Sequence, residues 1–147
     1  MKQINQKIEE LFIPYEIALQ LKEKGFNEPC LAYYNVSNIL VNGYRIVYIE
    51  HESSNPCKNN PNSIDVTVPL YQQVIDWFRE KHRYHIDITF RESKSNKIEG
   101  INSVYYDIEI YHMNGGDAYK TLKISEYSDH YYVCLIKAIE EALKLIK

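Results

Sequence analysis

Apolar residues recur every three or four positions in three stretches of the chain, which is the period of an amphipathic helix. In the first stretch, Ile17, Ala18 and Leu21 form a stripe that ends just before Gly25. Glycine adopts the left-handed conformation that closes many helices, so this pattern predicts a helix over residues 15–24.

The second and third helical stretches lie in the middle and at the end of the chain. After Pro69 the stripe includes Val74 and Phe78, and it predicts a helix to about residue 82. In the third stretch Ser128 is a good N-cap, which predicts a helix starting near that residue. Its stripe has six members: Tyr132, Leu135, Ile136, Ile139, Leu143 and Ile146.

Other segments have strand character, because they alternate apolar with polar residues or are rich in β-branched and aromatic side chains. They cover residues 30–34, 44–50, 84–91, 103–112 and 119–124. Asn42-Gly43 predicts a turn between the first two strands, which we expect to pair antiparallel. A polar connection and the sequence Asn114-Gly115-Gly116-Asp117 predict two successive hairpins for the last three strands.

These elements predict an α+β fold, because the strands cluster as hairpins instead of alternating regularly with helices. We expect one antiparallel sheet of about four to five strands with two or three helices packed on it. No linker is apparent, so residues 1–147 are predicted to form a single domain. Residues 1–12 are expected to be a short helix or a frayed arm. Residues 51–63, HESSNPCKNNPNS, are predicted to be a surface loop.

Composition and charge narrow the class of protein. The 147 residues are 45% hydrophobic and 25% charged, which is typical of a globular domain. A formal charge of −3 provides no basic footprint for phosphate backbones, so nucleic acid is an unexpected partner. No apolar run approaches the ~20 residues of a membrane helix, and no signal-peptide pattern follows Met1. We therefore expect a cytoplasmic protein that does not bind membranes.

The sequence contains no signature of catalysis or of a cofactor. Cys30, Cys57 and Cys134 are too widely spaced for a CxxC metal pair, and we expect reduced thiols, with Cys134 in the core. There is no GxSxG motif and no glycine-rich phosphate loop. No catalytic residue, bound metal or cofactor is therefore predicted, and the sequence favours a non-enzymatic protein over an enzyme.

The polar residues of two adjacent strands form the first candidate site. His85 and Asp87 lie on one predicted strand, and Asp107 and Glu109 lie on the next. Cross-strand neighbours are ~4.5–5.5 Å apart, so these groups could hold a divalent cation or act as an acid/base pair. A solvated sheet face would show the same alternation, and that interpretation stays open.

Tyrosine is unusually frequent, at 14 residues against four phenylalanines and one tryptophan. A tyrosine ring packs well and still presents a hydroxyl, so outward tyrosines suit a protein interface or a purine-stacking pocket. Tyr106 and Tyr132 are expected in the core. Tyr105 and Tyr111 are expected near a contact of a symmetric homo-oligomer. The candidate ligand-binding set is therefore His85, Asp87, Tyr105, Asp107, Glu109 and Tyr111.

Three long segments carry a resemblance to known proteins: PYEIALQLKEKGFNEPCLAYYN, VPLYQQVIDWFREKHRYHIDITF and EYSDHYYVCLIKAIEEALKLIK. In this order they resemble a group of small uncharacterised proteins carried by phages, prophages and mobile elements of gut-type bacteria. The resemblance covers most of the chain apart from the asparagine-rich loop and the first residues. It implies a phage or mobile-element accessory protein, and it implies no catalytic residue and no cofactor.

The resemblance and the composition together favour a non-enzymatic binding protein. It would bind a host protein or a small signalling molecule, as host-interaction and anti-defence factors do. One alternative is a small enzyme that acts on a nucleotide-like substrate through His85, Asp87, Asp107 and Glu109. Another is a structural assembly module.

Overall fold

The computed structural model describes residues 10–35, 45–48, 58–59, 64–93, 103–126 and 130–146. Within these residues there are three helices and two antiparallel sheets, so the predicted α+β class is confirmed. The prediction of one sheet with four or five strands is wrong, because the strands form two separate sheets of three strands each. The chain divides into two compact units, Met1–Trp77 and Phe78–Lys147, and the assignment of both to a single domain stays a prediction.

The first unit contains one helix and one sheet. Its elements are α1 (Tyr15–Glu23), β1 (Ala32–Asn35), β2 (Arg45–Tyr48) and β3 (Val66–Thr67). β1 is the central strand and pairs antiparallel with both neighbours, which confirms the predicted pairing of the first two strands. The predicted turn at Asn42-Gly43 lies outside the described residues. β3 was not predicted, since two residues are too few to show alternation.

Gly25 ends α1 in the predicted left-handed conformation, with φ at 86°. The backbone N–H of Phe26 then donates to the Leu21 carbonyl at 2.9 Å, and Phe26 itself is buried. This closure turns the chain toward β1. Because glycine adopts positive φ at little cost, the sequence signal was sufficient here.

The two segments predicted as an arm and a loop are described only in part. Phe12 is buried and forms a β-bridge with Leu70, so the end of the expected arm is extended. Of the 51–63 loop, Asn59 is described: its amide donates to the Phe26 carbonyl at 2.7 Å, and its side-chain oxygen accepts from the Thr67 N–H at 3.1 Å. Residues 1–9, 51–57 and 60–63 of these segments lie outside the described residues, and Cys57 is among them.

α2 (Tyr71–Lys81) crosses the boundary between the two units. Trp77 packs edge-on against Phe26, with ring centroids 5.4 Å apart, and Phe78 is fully buried. Two residues after the helix, Arg83 adopts a left-handed conformation with φ at 58°. This residue is where the helical period gives way to the strand period, as the sequence predicted.

The second unit is a meander of three strands covered by a helix. Its elements are β4 (Tyr84–Ser93), β5 (Ser103–Asn114), β6 (Asp117–Glu126) and α3 (Tyr131–Leu145). The strand order is β4-β5-β6, and Gly115 and Gly116 form the predicted tight turn with positive φ. α3 packs on β4 and β5. Six of its residues are buried: Cys134, Leu135, Ala138, Ile139, Ala142 and Leu143.

The start of α3 differs from the prediction. The helix begins at Tyr131 with His130 at the N-cap position, whereas the sequence placed the start near Ser128, which lies outside the described residues. Tyr132, expected in the core, is 43% exposed. An apolar stripe indicates which side of a helix is buried, but not where the surface beneath it ends.

Candidate functional site

All six candidate residues lie on one face of the β4–β5 pair. Cross-strand partners are His85 with Tyr111, Asp87 with Glu109, Thr89 with Asp107 and Arg91 with Tyr105. Since side chains alternate along a strand, these odd-numbered residues share one face of the sheet. β6 extends that face with Lys120, Lys123 and Ser125, which pair with Tyr111, Glu109 and Asp107. We call this surface the polar face.

Asp107 is at the centre of the polar face and is buried. The Ser125 hydroxyl donates to its Oδ1 at 2.6 Å, and Arg91 Nε and Lys123 Nζ each lie 3.3 Å from its Oδ2. The Ser125 hydrogen bond is the largest cause that lowers the pKa of Asp107, and Lys123 and Arg91 lower it further. Its carboxylate is therefore ionised and fully engaged by its own chain.

Glu109 is held in the same way. Lys120 Nζ lies 2.7 Å and Lys123 Nζ 3.3 Å from its Oε1, and the Tyr111 hydroxyl donates to its Oε2. These donors, Lys120 first, lower the pKa of Glu109 to about 2. In return, the carboxylate of Glu109 raises the pKa of Lys120 and of Tyr111.

The other two polar candidates stay outside this network. Asp87 is exposed and accepts one hydrogen bond, from the Thr89 hydroxyl at 3.3 Å, although it lies directly opposite Glu109. His85 lies opposite Tyr111 and makes no hydrogen bond or ion pair with any residue in the described ranges. The structure therefore brings the predicted residues onto one face but divides them into engaged and unengaged groups.

The sequence analysis missed the cations that neutralise the carboxylates. Lys123 and Ser125 alternate with Leu122 and Ile124, so the pattern for β6 was visible in the sequence. The position of Lys120 was not, because a bulge in the β5–β6 pairing shifts the register after Ile110.

This arrangement makes Glu109 a poor general base. A general base works best when its pKa lies near the operating pH, and Glu109 is far below it. A divalent cation would have to displace lysines from the carboxylates of both Asp107 and Glu109. Among the residues that the structure describes, no group of three His, Cys, Asp or Glu side chains is placed to hold a metal ion.

A second surface lies on the opposite face of the sheet, where α3 begins. Phe90, Tyr106, Tyr131 and Tyr132 form a chain of edge-to-face rings with centroids 5.6, 5.9 and 5.9 Å apart. Phe90 is 57% exposed, and Tyr131 and Tyr132 are almost half exposed. We call these four residues the aromatic cluster. Burial is the largest cause that raises the pKa of Tyr131, which keeps its hydroxyl neutral.

Comparisons with known proteins identify no relative of this chain. No protein-family model, curated protein or solved structure matches the chain. None of the helices in the described ranges has both the length and the apolar character needed to cross a membrane.

The low pKa of Glu109 predicts how stability depends on pH. The carboxyl has an ordinary pKa of 4.5 and titrates near 2 in the folded protein, so the unfolded chain takes up its proton first. Its stabilising contribution is complete above pH 4.5 and is lost as the pH falls toward 2. Urea unfolding at several pH values should therefore show a decline in this window that Glu109→Gln makes shallower.

Glu92→Gln is the matched control for this experiment. Glu92 is exposed on β4 and forms no ion pair within the described part of the chain. We expect this variant to keep the wild-type profile. Identical pH profiles for wild type and Glu109→Gln would show that the carboxylate of Glu109 contributes no such linkage.

Proposed function

We propose that this protein is a non-enzymatic accessory protein of a phage or mobile element, which binds a host protein in the cytosol through the aromatic cluster. The observation that carries the proposal is the exposure of Phe90, Tyr131 and Tyr132 within one continuous set of ring contacts. Tyrosine and phenylalanine are enriched at protein interfaces, where a rigid ring gains contact area at a low entropic cost.

The geometry of the cluster supports a protein partner. Tyr106 on β5 contacts both Phe90 on β4 and Tyr131 on α3, and Tyr131 contacts Tyr132, so the exposed rings are packed against one another before a partner binds. Preordered side chains lose less conformational freedom on binding. Exposed Val133 adds apolar surface next to Tyr132 in the first turn of α3.

The engagement of the polar face favours binding over catalysis. Asp107 and Glu109 are engaged by cationic partners of their own chain, whereas Asp87 accepts one hydrogen bond from the Thr89 hydroxyl and His85 has no hydrogen bond or ion pair within the described residues. An imidazole and an exposed carboxylate two positions apart give little support for chemistry on a nucleotide-like substrate. The network instead stabilises the sheet that carries the aromatic cluster.

The proposal is tested with Tyr131→Ala/Tyr132→Ala. The wild-type protein, immobilised and exposed to lysate of a gut-type bacterium, should retain a specific host protein, and the purified pair should then bind with a measurable Kd. The double variant should weaken that Kd by at least ~10-fold, because truncating central aromatic residues of an interface typically costs more than 1 kcal/mol each. Tyr119→Ala is the control, since Tyr119 is 58% exposed on β6 and outside the cluster.

Two results would contradict the proposal. One is equal affinity of wild type, the double variant and Tyr119→Ala for the captured protein. The other is a rise in Tm with a nucleotide, Mg²⁺ or Zn²⁺ that Asp87→Asn/Glu109→Gln abolishes, which would restore the alternative of a small-molecule site on the polar face.

A further inference from the structure

β4 forms one edge of its sheet and is unusually regular. All of its residues from Tyr84 to Ser93 pair with β5 without a register shift. No strand among the described residues pairs with its other side. An edge strand presents unpaired backbone groups that can hydrogen-bond to a further strand.

The backbone groups at this edge can be identified. The Met113 N–H donates to the Arg83 carbonyl at 2.8 Å, so this pair is a hydrogen-bonded one. In antiparallel pairing such pairs alternate with non-hydrogen-bonded ones. Odd-numbered residues of β4 therefore direct their N–H and C=O groups to β5, and Ile86, Ile88 and Phe90 direct theirs outward.

We propose that two copies of this chain pair antiparallel along β4 around a two-fold axis at Thr89, forming a continuous six-stranded sheet. In this register Ile88 and Phe90 of one copy form hydrogen-bonded pairs with Phe90 and Ile88 of the second copy. Asp87 lies opposite Arg91 of the second copy in a non-hydrogen-bonded pair, where side chains approach most closely. The axis generates that pair of opposite charges twice.

The charges of β4 select this register over its neighbours. Asp87 is exposed and faces Glu109 within its own sheet, so a cation on its open side relieves a like-charge contact. Arg91 is half exposed and engages Asp107 through Nε, which leaves its terminal nitrogens for a second carboxylate. A shift of the axis to Ile88 would place His85 opposite Arg91, and a shift to Asp87 would oppose two aspartates.

The apolar side of the pairing covers exposed surface. Phe90, 57% exposed in the single chain, would pack beside Ile88 of the second copy. The least favourable contact is Glu92 opposite Ile86, at the two ends of the interface.

The other edge of the sheet, formed by β6, is less suited to pairing, because β6 carries the bulge together with Lys120 and Lys123. Bulges and lysines are features that protect edges from pairing.

This inference does not rest on the proposed function, although the two are compatible. Pairing along β4 would place the aromatic clusters of both copies on the same face of one sheet, near the two-fold axis. A partner could then contact the aromatic clusters of both copies at once. Tyr131→Ala/Tyr132→Ala leaves the backbone of β4 unchanged, so it should weaken host-protein binding without dissociating the dimer.

The test uses two single charge reversals and their mixture. Wild type should sediment with twice the chain mass at micromolar concentration. Asp87→Arg and Arg91→Asp should each weaken dimerisation by at least ~10-fold, because each places like charges opposite one another twice. Mixed in equal amounts, the two variants should restore a heterodimer, since every cross-strand charge pair is then complementary. Rescue by mixing cannot arise from a folding defect, and far-UV circular dichroism checks each variant alone.

Three results would overturn the inference. They are a monomer mass for wild type across the micromolar range, a dimer that neither reversal weakens, and a mixture no more associated than its components. If the protein is a monomer, the open edge of β4 would be available to an extended segment of another protein.

Hydrogen exchange tests the pairing without a variant. The amides of Ile86, Ile88 and Phe90 should lose protection on dilution, because their hydrogen bonds are to the second copy. The Thr89 amide should not, because it is bonded to β5.

Discussion

Phe78→Ala is expected to lower the free energy of unfolding by ~3–5 kcal/mol. Phe78 is completely buried in α2, and its ring lies 6.3 Å from that of His82 one turn later. Truncation removes the buried ring and leaves a cavity that close-packed neighbours fill only in part. Urea or guanidinium unfolding measures the change.

Glu80→Ala is the control for this loss. Glu80 is exposed on the same helix, and alanine is a good helix former, so we expect a change within about 0.5 kcal/mol. A loss below ~0.5 kcal/mol for Phe78→Ala itself would mean that the helical stripe of α2 is not part of the core.

Ile139→Ala is expected to cost ~2–5 kcal/mol. Ile139 is fully buried in the middle of α3, where the helix packs on β4 and β5. Val133→Ala in the same helix is the comparison, because Val133 is 48% exposed. Similar losses at both positions would contradict the assignment of the buried face of α3, and the same unfolding measurement distinguishes the outcomes.

Local patterns predicted most of the helices and strands, because the spacing of apolar residues along a short segment follows the period of the element that buries them. The alternation in β4 and β5 and the stripe of α3 both led to elements that the structure contains. The number of sheets was mispredicted for a physical reason. Which strands pair is decided by contacts between distant segments, and β3, with two residues, joins β1 from more than thirty residues away.

For the candidate site, the sequence predicted which residues share a face but not which cations neutralise them. Side-chain alternation correctly placed Asp87 and Glu109 on one face as cross-strand partners. The charge state of that face depended on β6, whose register after the bulge brings Lys120 to Glu109. A bulge inserts one residue without a strong sequence signal, so the neutralising partners were not predictable from alternation alone.

The aromatic cluster was missed because the helical stripe was extended too far. Tyr132 continues the period of Leu135 and Ile139, which led to its assignment to the core. In the folded unit it lies in the first turn of α3 and contacts Tyr131, with almost half of its surface exposed. Helical period identifies a side of the helix, whereas exposure depends on what lies beneath each turn.

The left-handed backbone of Arg83, between α2 and β4, determines which residues can replace this arginine. A non-glycine residue with φ at 58° costs ~1–2 kcal/mol of local strain. Glycine at that position would relieve the strain but give the unfolded chain more freedom, a loss of ~0.5–1 kcal/mol. These opposing contributions largely cancel, so we expect Arg83→Gly to change the free energy of unfolding only slightly. A β-branched residue meets a greater steric penalty in this conformation, so valine or isoleucine should be disfavoured there.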